Sequence, residues 1–516
     1  METEKRSLME RVEHAAKNLK FSMASEMILA ILKFISRKIF VIFLGKEYLG
    51  INGLFTDILS MLSLAELGFG VSITYSLYRP AAQNDDKLIK SLMRLYRRVY
   101  QAIGTAVLAS GILITPFLGF FVKEMPENIP HIPLIYILNV INVGISYFFS
   151  YKSTLLLVYQ KKYIDGMIRA GVMLVSVAAQ AGVLFVTGNY LYYLFTAIAA
   201  TLLQNILIYL KTDRLYPYLR EKDVDPLPSE IMQEIRRNMG AMILHRMGAV
   251  VVFGTDNILI SKFVGVAAAG LYSNYTLIRN FLNTMVNALF NVFTPALGNL
   301  NAMEGRERRR EAFRQLHFFA AWLFGWLSIC LLWLYDPFIT IWLGEGYLLP
   351  KPVVLLIVVN FYVNGMRIPV ANTKSVMGLF WDERYKSILE AFSNLVISVI
   401  LAKRWGILGI IAGTLASTVA FPFWIEPLGL YRHGLKLPVR EYFFSYVIHL
   451  SVTVAAGALT GLLCQMAGGD VFGFLLRAAV CGVVPNVVYL VFFGRTKEFL
   501  FLKNMIKRMV CRLLKK

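Results

Sequence analysis

Apolar runs of about twenty residues, parted by short polar connections, recur fourteen times along this chain. That recurrence leaves few folds open. An α-helix rises about 1.5 Å per residue, so a run of this length crosses the ~30 Å hydrocarbon core of a bilayer. In lipid every backbone N–H and C=O needs a partner within the protein, which makes such runs helical. They fall at about 21–44, 52–78, 97–121, 132–158, 164–187, 190–210, 240–261, 270–297, 315–336, 351–379, 385–402, 406–430, 443–467 and 471–494. The expectation is an all-α polytopic membrane protein with about fourteen transmembrane helices.

Composition agrees. Of 516 residues, 57% are hydrophobic and only 16% charged, with a mean hydropathy of +0.58. A soluble chain of this size cannot bury that much apolar surface. The formal net charge is +21. The cations sit between the apolar runs, so they read as membrane topology and not as a nucleic-acid footprint. Alternate connections carry them: Arg79 to Arg98, then Lys161 and Lys162, then the 211–237 segment, then Arg306 to Arg314. With an even number of spans, both termini are expected in the cytoplasm. The first twenty residues, METEKRSLMERVEHAAKNLK, lack an apolar core followed by a small-residue cleavage site, so the first span is expected to act as an uncleaved signal. Cys330, Cys464, Cys481 and Cys511 show no paired spacing, so neither a disulfide framework nor a zinc site is expected.

The chain reads as two halves. Residues 211–237, KTDRLYPYLREKDVDPLPSEIMQEIRR, form the longest polar connection, contain three prolines and lie near the midpoint. On either side, ILKFISRKIFVIFLGKEYLG (31–50) aligns without a gap on VVFGTDNILISKFVGVAAAG (251–270), which places Gly45 on Gly265 and Gly50 on Gly270. The expected organisation is an N-terminal half of six spans (1–210), a cytoplasmic linker (211–237), a C-terminal half of six spans (238–430), two additional spans (431–494) and a basic amphipathic tail (495–516). Parallel repeats of this kind place a substrate site between the halves. In the tail, Leu502, Met505, Ile506, Met509 and Leu513 share a helical face suited to an anionic leaflet.

The stretch YLGINGLFTDILSMLSLAELGFGVSITYSLYRPAAQND (48–85) resembles the second-span region of bacterial polysaccharide exporters of the Wzx type, in the multidrug/oligosaccharidyl-lipid/polysaccharide (MOP) exporter superfamily. SRKIFVIFLG before it and GILGIIAGTLAS (406–417) fit the same pattern, and length, span number and two-half organisation agree over nearly the whole chain. The resemblance implies a flippase for a lipid-linked oligosaccharide anchored on undecaprenyl diphosphate. It further implies a multi-pass protein of the bacterial cytoplasmic membrane that serves capsule, exopolysaccharide or O-antigen synthesis. Membrane lipids and a polysaccharide polymerase or other assembly proteins are its implied partners.

Lys33, Arg37 and Lys38 then stand out, because they lie near the middle of the first span. A cation at the bilayer centre costs about 2.5–3.5 kcal/mol on insertion scales. Lys33 and Arg37, spaced i, i+4, share a helical face and repel each other unless an anion comes between them. A diphosphate is such an anion, and the planar fork of Arg matches its oxygens. Glu26, two turns earlier, could hold the cations without substrate, whereas Lys38 points elsewhere. Arg246, Arg279, Arg367 and Lys374 are further intramembrane candidates for the diphosphate, and Pro369 is expected to kink its helix. His245 and Asp256, with Glu26, are candidates for coupling. Sugar recognition needs neutral amides: Asn280, Asn283, Asn287 and Asn291 form one helical stripe, and Asn139 and Asn142 begin another. Tyr272 and Tyr275 are expected to stack on sugar rings.

No G-x-x-x-x-G-K-[ST] phosphate loop, H-E-x-x-H pattern or large extramembrane segment is present in the sequence, so no cofactor and no enzymatic activity are expected. Two relatives remain as alternatives: a lipid II flippase of the MurJ kind, also cationic, and a drug/cation antiporter of the MATE kind, whose cavity should be acidic.

Overall fold

Why the chain folds as it does begins with the apolar runs, which in a computed structural model are mainly helical over the described residues. It describes residues 2–63, 66–221, 224–233, 235–236, 254–303, 305–379 and 386–514; the side chains of 2–23, 67–68, 71, 291–292, 294–303, 505–506 and 508–514 lie outside the description. His245 and Arg246 fall outside the described residues.

Among the described residues, seventeen α-helices follow in order. They are α1 (Glu2–Leu62), α2 (Glu66–Gln83), α3 (Asp86–Ile114), α4 (Ile132–Ser150), α5 (Ser153–Val158), α6 (Lys162–Thr187), α7 (Tyr190–Leu215), α8 (Asp256–Phe263) and α9 (Val266–Met303). Then come α10 (Arg306–Leu343), α11 (Lys351–Met377), α12 (Lys386–Trp405), α13 (Ile407–Ala420), α14 (Pro422–Gly429), α15 (Arg440–Cys464), α16 (Val471–Phe493) and α17 (Lys497–Leu514), with one π-helical turn at Leu430–Leu435. No strand occurs among the described residues. Nine helical segments among them are long and apolar enough to cross a membrane. The protein is an all-α polytopic membrane protein. The helices outside that set include α1 and α9, which carry the first-span cations and the asparagine stripe.

The chain divides into two compact units, Met1–Gly270 and Leu271–Lys516. In the first, α1 packs along α6, α6 along α7, and α4 between α3 and α7. Tyr96, Tyr100, Tyr147 and Tyr151 lie in one buried cluster with Ile73, Leu77 and Leu92. The polar connection after α7 is fastened to this unit: Lys90 pairs with Glu221 at 2.6 Å, and the Ser91 hydroxyl donates to the Asp225 carbonyl at 2.8 Å. Lys152 forms a buried ion pair with Asp213 and sits 3.2 Å from the centre of the Tyr209 ring.

The internal repeat has a structural counterpart. Gly45 (φ 82°) interrupts α1, and its partner Gly265 (φ 134°) separates α8 from α9. Both conformations suit glycine and are strained for other residues. The next matched pair lies at a close crossing of α1 with the start of α9. A Cβ on Gly50 would meet the Val266 carbonyl oxygen at 1.9 Å, and one on Gly270 would meet that of Lys46 at 2.3 Å. Lys46 aligns on Val266 in the same register, so each contact is the other with the two repeats exchanged.

In the second unit α12 and α13 form a tight hairpin, and α10 packs against α11, α15 and α16. A Cβ on Gly365 of α11 would lie 2.2 Å from the Phe324 ring of α10. The last two spans belong to this bundle. Trp322 donates to Asn486 Oδ1 (2.7 Å), Trp326 to the Cys481 carbonyl (2.9 Å) and Trp333 to the Gly457 carbonyl (3.0 Å). Helix α11 continues unbroken through Pro369. In the basic tail, α17 packs on α10 and Leu502 is buried there.

Candidate functional site

Helix α1 presents the first-span cations differently from one another. Lys33 and Lys38 are exposed and Arg37 is half-buried. Among the described residues Lys33 makes no ion pair, and neither does Glu26, which is exposed. The role of Glu26 as a resting partner is therefore not realised in this conformation. Arg37 lies beside Tyr193 of α7. Tyr193 and Tyr190 both meet Phe40 edge-on, with ring centres 5.3 and 5.5 Å away. The Tyr190 hydroxyl donates to Asn52 Oδ1 at 3.1 Å and lies beside Asn139.

The structure thus brings Arg37 and Asn139, expected separately, into one neighbourhood through two tyrosines that sequence reasoning missed. Their signal was present in YLYY (190–193), aromatic residues that read only as part of an apolar run. Asn139 also donates to the Ile135 carbonyl at 2.8 Å, so its amide oxygen remains for other contacts. Asn142 is half-buried.

Glu66, in the family-like stretch, was also missed. Its Oε1 accepts from Tyr100 at 2.8 Å; the Tyr100 and Tyr96 hydroxyls are 3.2 Å apart, and Tyr96 reaches Thr154 Oγ1 at 3.2 Å. Among the described residues no cation pairs with this carboxylate. Asp256 begins α8, is buried and lies near Asp57, whose Oδ2 accepts from Asn257 at 2.7 Å.

In the second unit the expected residues separate. Asn280 and Asn287 are exposed and Asn283 is half-buried along α9; the Asn291 side chain lies outside the description. Arg279 is half-buried near Tyr335. Tyr272 and Tyr275 do not offer faces to a sugar. They are 1% and 0% exposed, and Tyr275 is a framework residue: its hydroxyl donates to Asp336 Oδ1 and accepts from the Leu349 N–H, both at 3.0 Å. The expectation of stacking is corrected accordingly, because a wholly buried ring has no free face.

Arg367 is corrected in the same way. Its guanidinium forks onto Glu426 (3.1 and 2.8 Å), reaches Glu390 (3.1 and 3.4 Å) and donates to Asn364 (2.9 Å). Lys386 pairs with Glu426 at 2.5 Å. Every donor group of Arg367 is in use, and two cations balance two carboxylates in a largely buried cluster. It has no donor left for a phosphate in this conformation. Lys374, seven residues along α11, is buried.

Over residues 15–301 the sequence matches the model of a family described as polysaccharide biosynthesis protein. No curated protein matches the sequence. Among solved structures, the chain is similar to the lipid II flippase MurJ in an inward closed conformation (12% identity, TM-score 0.64, 92% of this chain and 98% of that one). It is also similar to an inward-facing multidrug resistance MATE family transporter of the MOP superfamily (16%, 0.60, 81% and 99%). A third likeness is to the Vibrio cholerae MATE transporter VcmN (15%, 0.56, 82% and 99%). These likenesses speak for the fold. The family model covers more than half of the sequence, and the chain belongs to the polysaccharide biosynthesis protein family, the Wzx-like family that its sequence resembles.

Proposed function

We propose that the protein flips lipid-diphosphate-linked oligosaccharide repeat units across the cytoplasmic membrane for surface polysaccharide synthesis. The observation that carries this reading is Lys33 with Arg37: two like charges one helical turn apart in the apolar run that α1 contains, with Lys33 exposed and unpaired among the described residues. An intramembrane cation without a protein counter-charge is a functional feature by default. A diphosphate supplies the missing negative charge and, in return, regains hydrogen bonds for the water it sheds. Tyr193 and Asn139, both half-buried, are the proposed aromatic and amide surface beside Arg37 for the first sugars, and the buried Tyr190 packs behind them. Arg279, the exposed Asn280 and Asn287 and the half-buried Asn283 are proposed to serve the substrate as well, and alternating access is the proposed motion. Arg367 is assigned to the framework.

The test is translocation in proteoliposomes. Lipid-diphosphate-linked oligosaccharide is placed in one leaflet, and an impermeant sugar-modifying enzyme is added outside. Protein-dependent modification, lost in Arg37→Ala, supports the reading. Modification of a lipid II-type substrate alone would move it to a peptidoglycan precursor. Efflux of small cationic drugs without modification would move it to an antiporter.

A further inference from the structure

The Arg306 end of α10 holds two adjoining hollows. The inner one, of about 320 Å³, is bounded by α10, α15, the π-helical turn and the start of α17. Its wall is largely aromatic: the Phe318, His449 and Phe493 rings meet one another with centres 5.2 to 5.7 Å apart. The His317 ring lies 5.4 Å from that of His449. Phe444 and Ile448, spaced i, i+4 on α15, also line this hollow, yet both are exposed. They share one face of a helix long and apolar enough to cross a membrane, so the hollow opens sideways toward lipid. The outer hollow, of about 330 Å³, carries both signs of charge, among them Arg308, Lys497 and Glu311. Arg314 and Glu498 line both hollows and mark the boundary between them.

The unsatisfied groups point to a ligand. His317 is 3% and His449 6% exposed, and neither His317 Nε2 nor His449 Nδ1 has a hydrogen-bond partner within the protein. A buried polar atom without a partner is costly, so each nitrogen calls for one from outside the chain. Water would serve the nitrogens but gain nothing from the aromatic wall. At the boundary Glu441 is already taken: both its oxygens accept from Arg310, at 3.0 and 2.9 Å, whereas Arg314 reaches it only at 3.5 Å. The half-exposed Arg314 therefore keeps donors for an anion. Glu498 makes no ion pair among the described residues.

We propose that the two hollows are one binding site for a zwitterionic phospholipid, phosphatidylethanolamine. Its phosphate accepts from Arg314, its ammonium donates to Glu498, and its glycerol esters and one acyl chain enter the inner hollow. A neutral imidazole carries one N–H, which an ester carbonyl accepts. His317 lies one turn inward from Arg314, about 4.5 Å along the helix axis, comparable with the few bonds between a lipid's phosphate and its esters. An anionic lipid would satisfy Arg314 but bring no cation to Glu498, and that difference gives the site its preference. The bound lipid touches α10, α15 and α17 together, and so fastens the last helix to the bundle. None of this depends on the identity of the transported substrate.

The test is native mass spectrometry on the delipidated full chain, supplied in turn with phosphatidylethanolamine, phosphatidylglycerol and chain-free phosphoethanolamine. The expected result is one retained phosphatidylethanolamine, with phosphatidylglycerol held about tenfold more weakly, as loss of one charged contact implies. Phosphoethanolamine, which has no chain for the inner hollow, should not displace it. R314Q and E498Q change side chains that are not buried. R314Q should weaken retention about tenfold or more, and E498Q should remove the preference over phosphatidylglycerol. No retained lipid, equal retention of the two lipids, displacement by phosphoethanolamine, or retention indifferent to R314Q would each overturn the proposal.

Discussion

Lys33 of α1 and Arg367 of α11 are cations set in apolar runs of the sequence, yet they are handled in opposite ways. Arg367 is surrounded: two carboxylates, an amide and a neighbouring lysine close a neutral cluster inside one bundle. Lys33 is exposed and pairs with nothing among the described residues, although Arg37 follows one turn later. Removing one partner from a buried pair leaves an uncompensated charge and is strongly destabilising. Removing an open cation leaves nothing stranded. The contrast separates charge that is neutralised inside a bundle from charge left exposed, a distinction residue type alone does not make.

Breaking the cluster should have the largest effect on stability. Arg367→Ala strands Glu390 and Glu426 and should cost about 3–5 kcal/mol, seen as reduced abundance in the membrane and a lower melting temperature in detergent. A stable, inactive Arg367→Ala protein would return this residue to the ligand side. Arg37→Ala should do the reverse, lowering translocation by more than about tenfold, as loss of a charge-assisted contact implies, at unchanged abundance. Gly50→Ala tests the crossing of the two repeats. Its Cβ meets backbone, not a flexible side chain, so a loss of about 1–3 kcal/mol in thermal stability is expected. Arg37→Lys keeps charge but not the fork, so it should recover only part of the translocation rate. Lys38→Gln, exposed and off the Lys33–Arg37 face, should leave both readouts near wild type.

Much of this was legible beforehand because lipid imposes period and length on the chain. Runs long enough to cross a bilayer had to be helices. The glycine register between 31–50 and 251–270 reported a real equivalence, since Gly45 and Gly265 both adopt positive φ and Gly50 and Gly270 both admit a backbone. The site was less legible. Tyr275 and Asn280 lie five residues apart on α9, yet one is a buried strut and the other is exposed. Glu390 and Glu426 looked unremarkable in separate helices until α12 and α14 placed both against Arg367. His317 and His449 are more than a hundred residues apart, so no spacing could have paired them.

The sequence by itself therefore determined the class of molecule, its helices, its repeat and the unusual charge in its first span. Hydrophobic length, glycine positions and cation counts are properties of local chain and solvent. Only the tertiary structure decided which charges are neutralised, which tyrosines have a free face and which histidines meet. Pairing is a matter of distance between helices, and along the chain those partners are strangers.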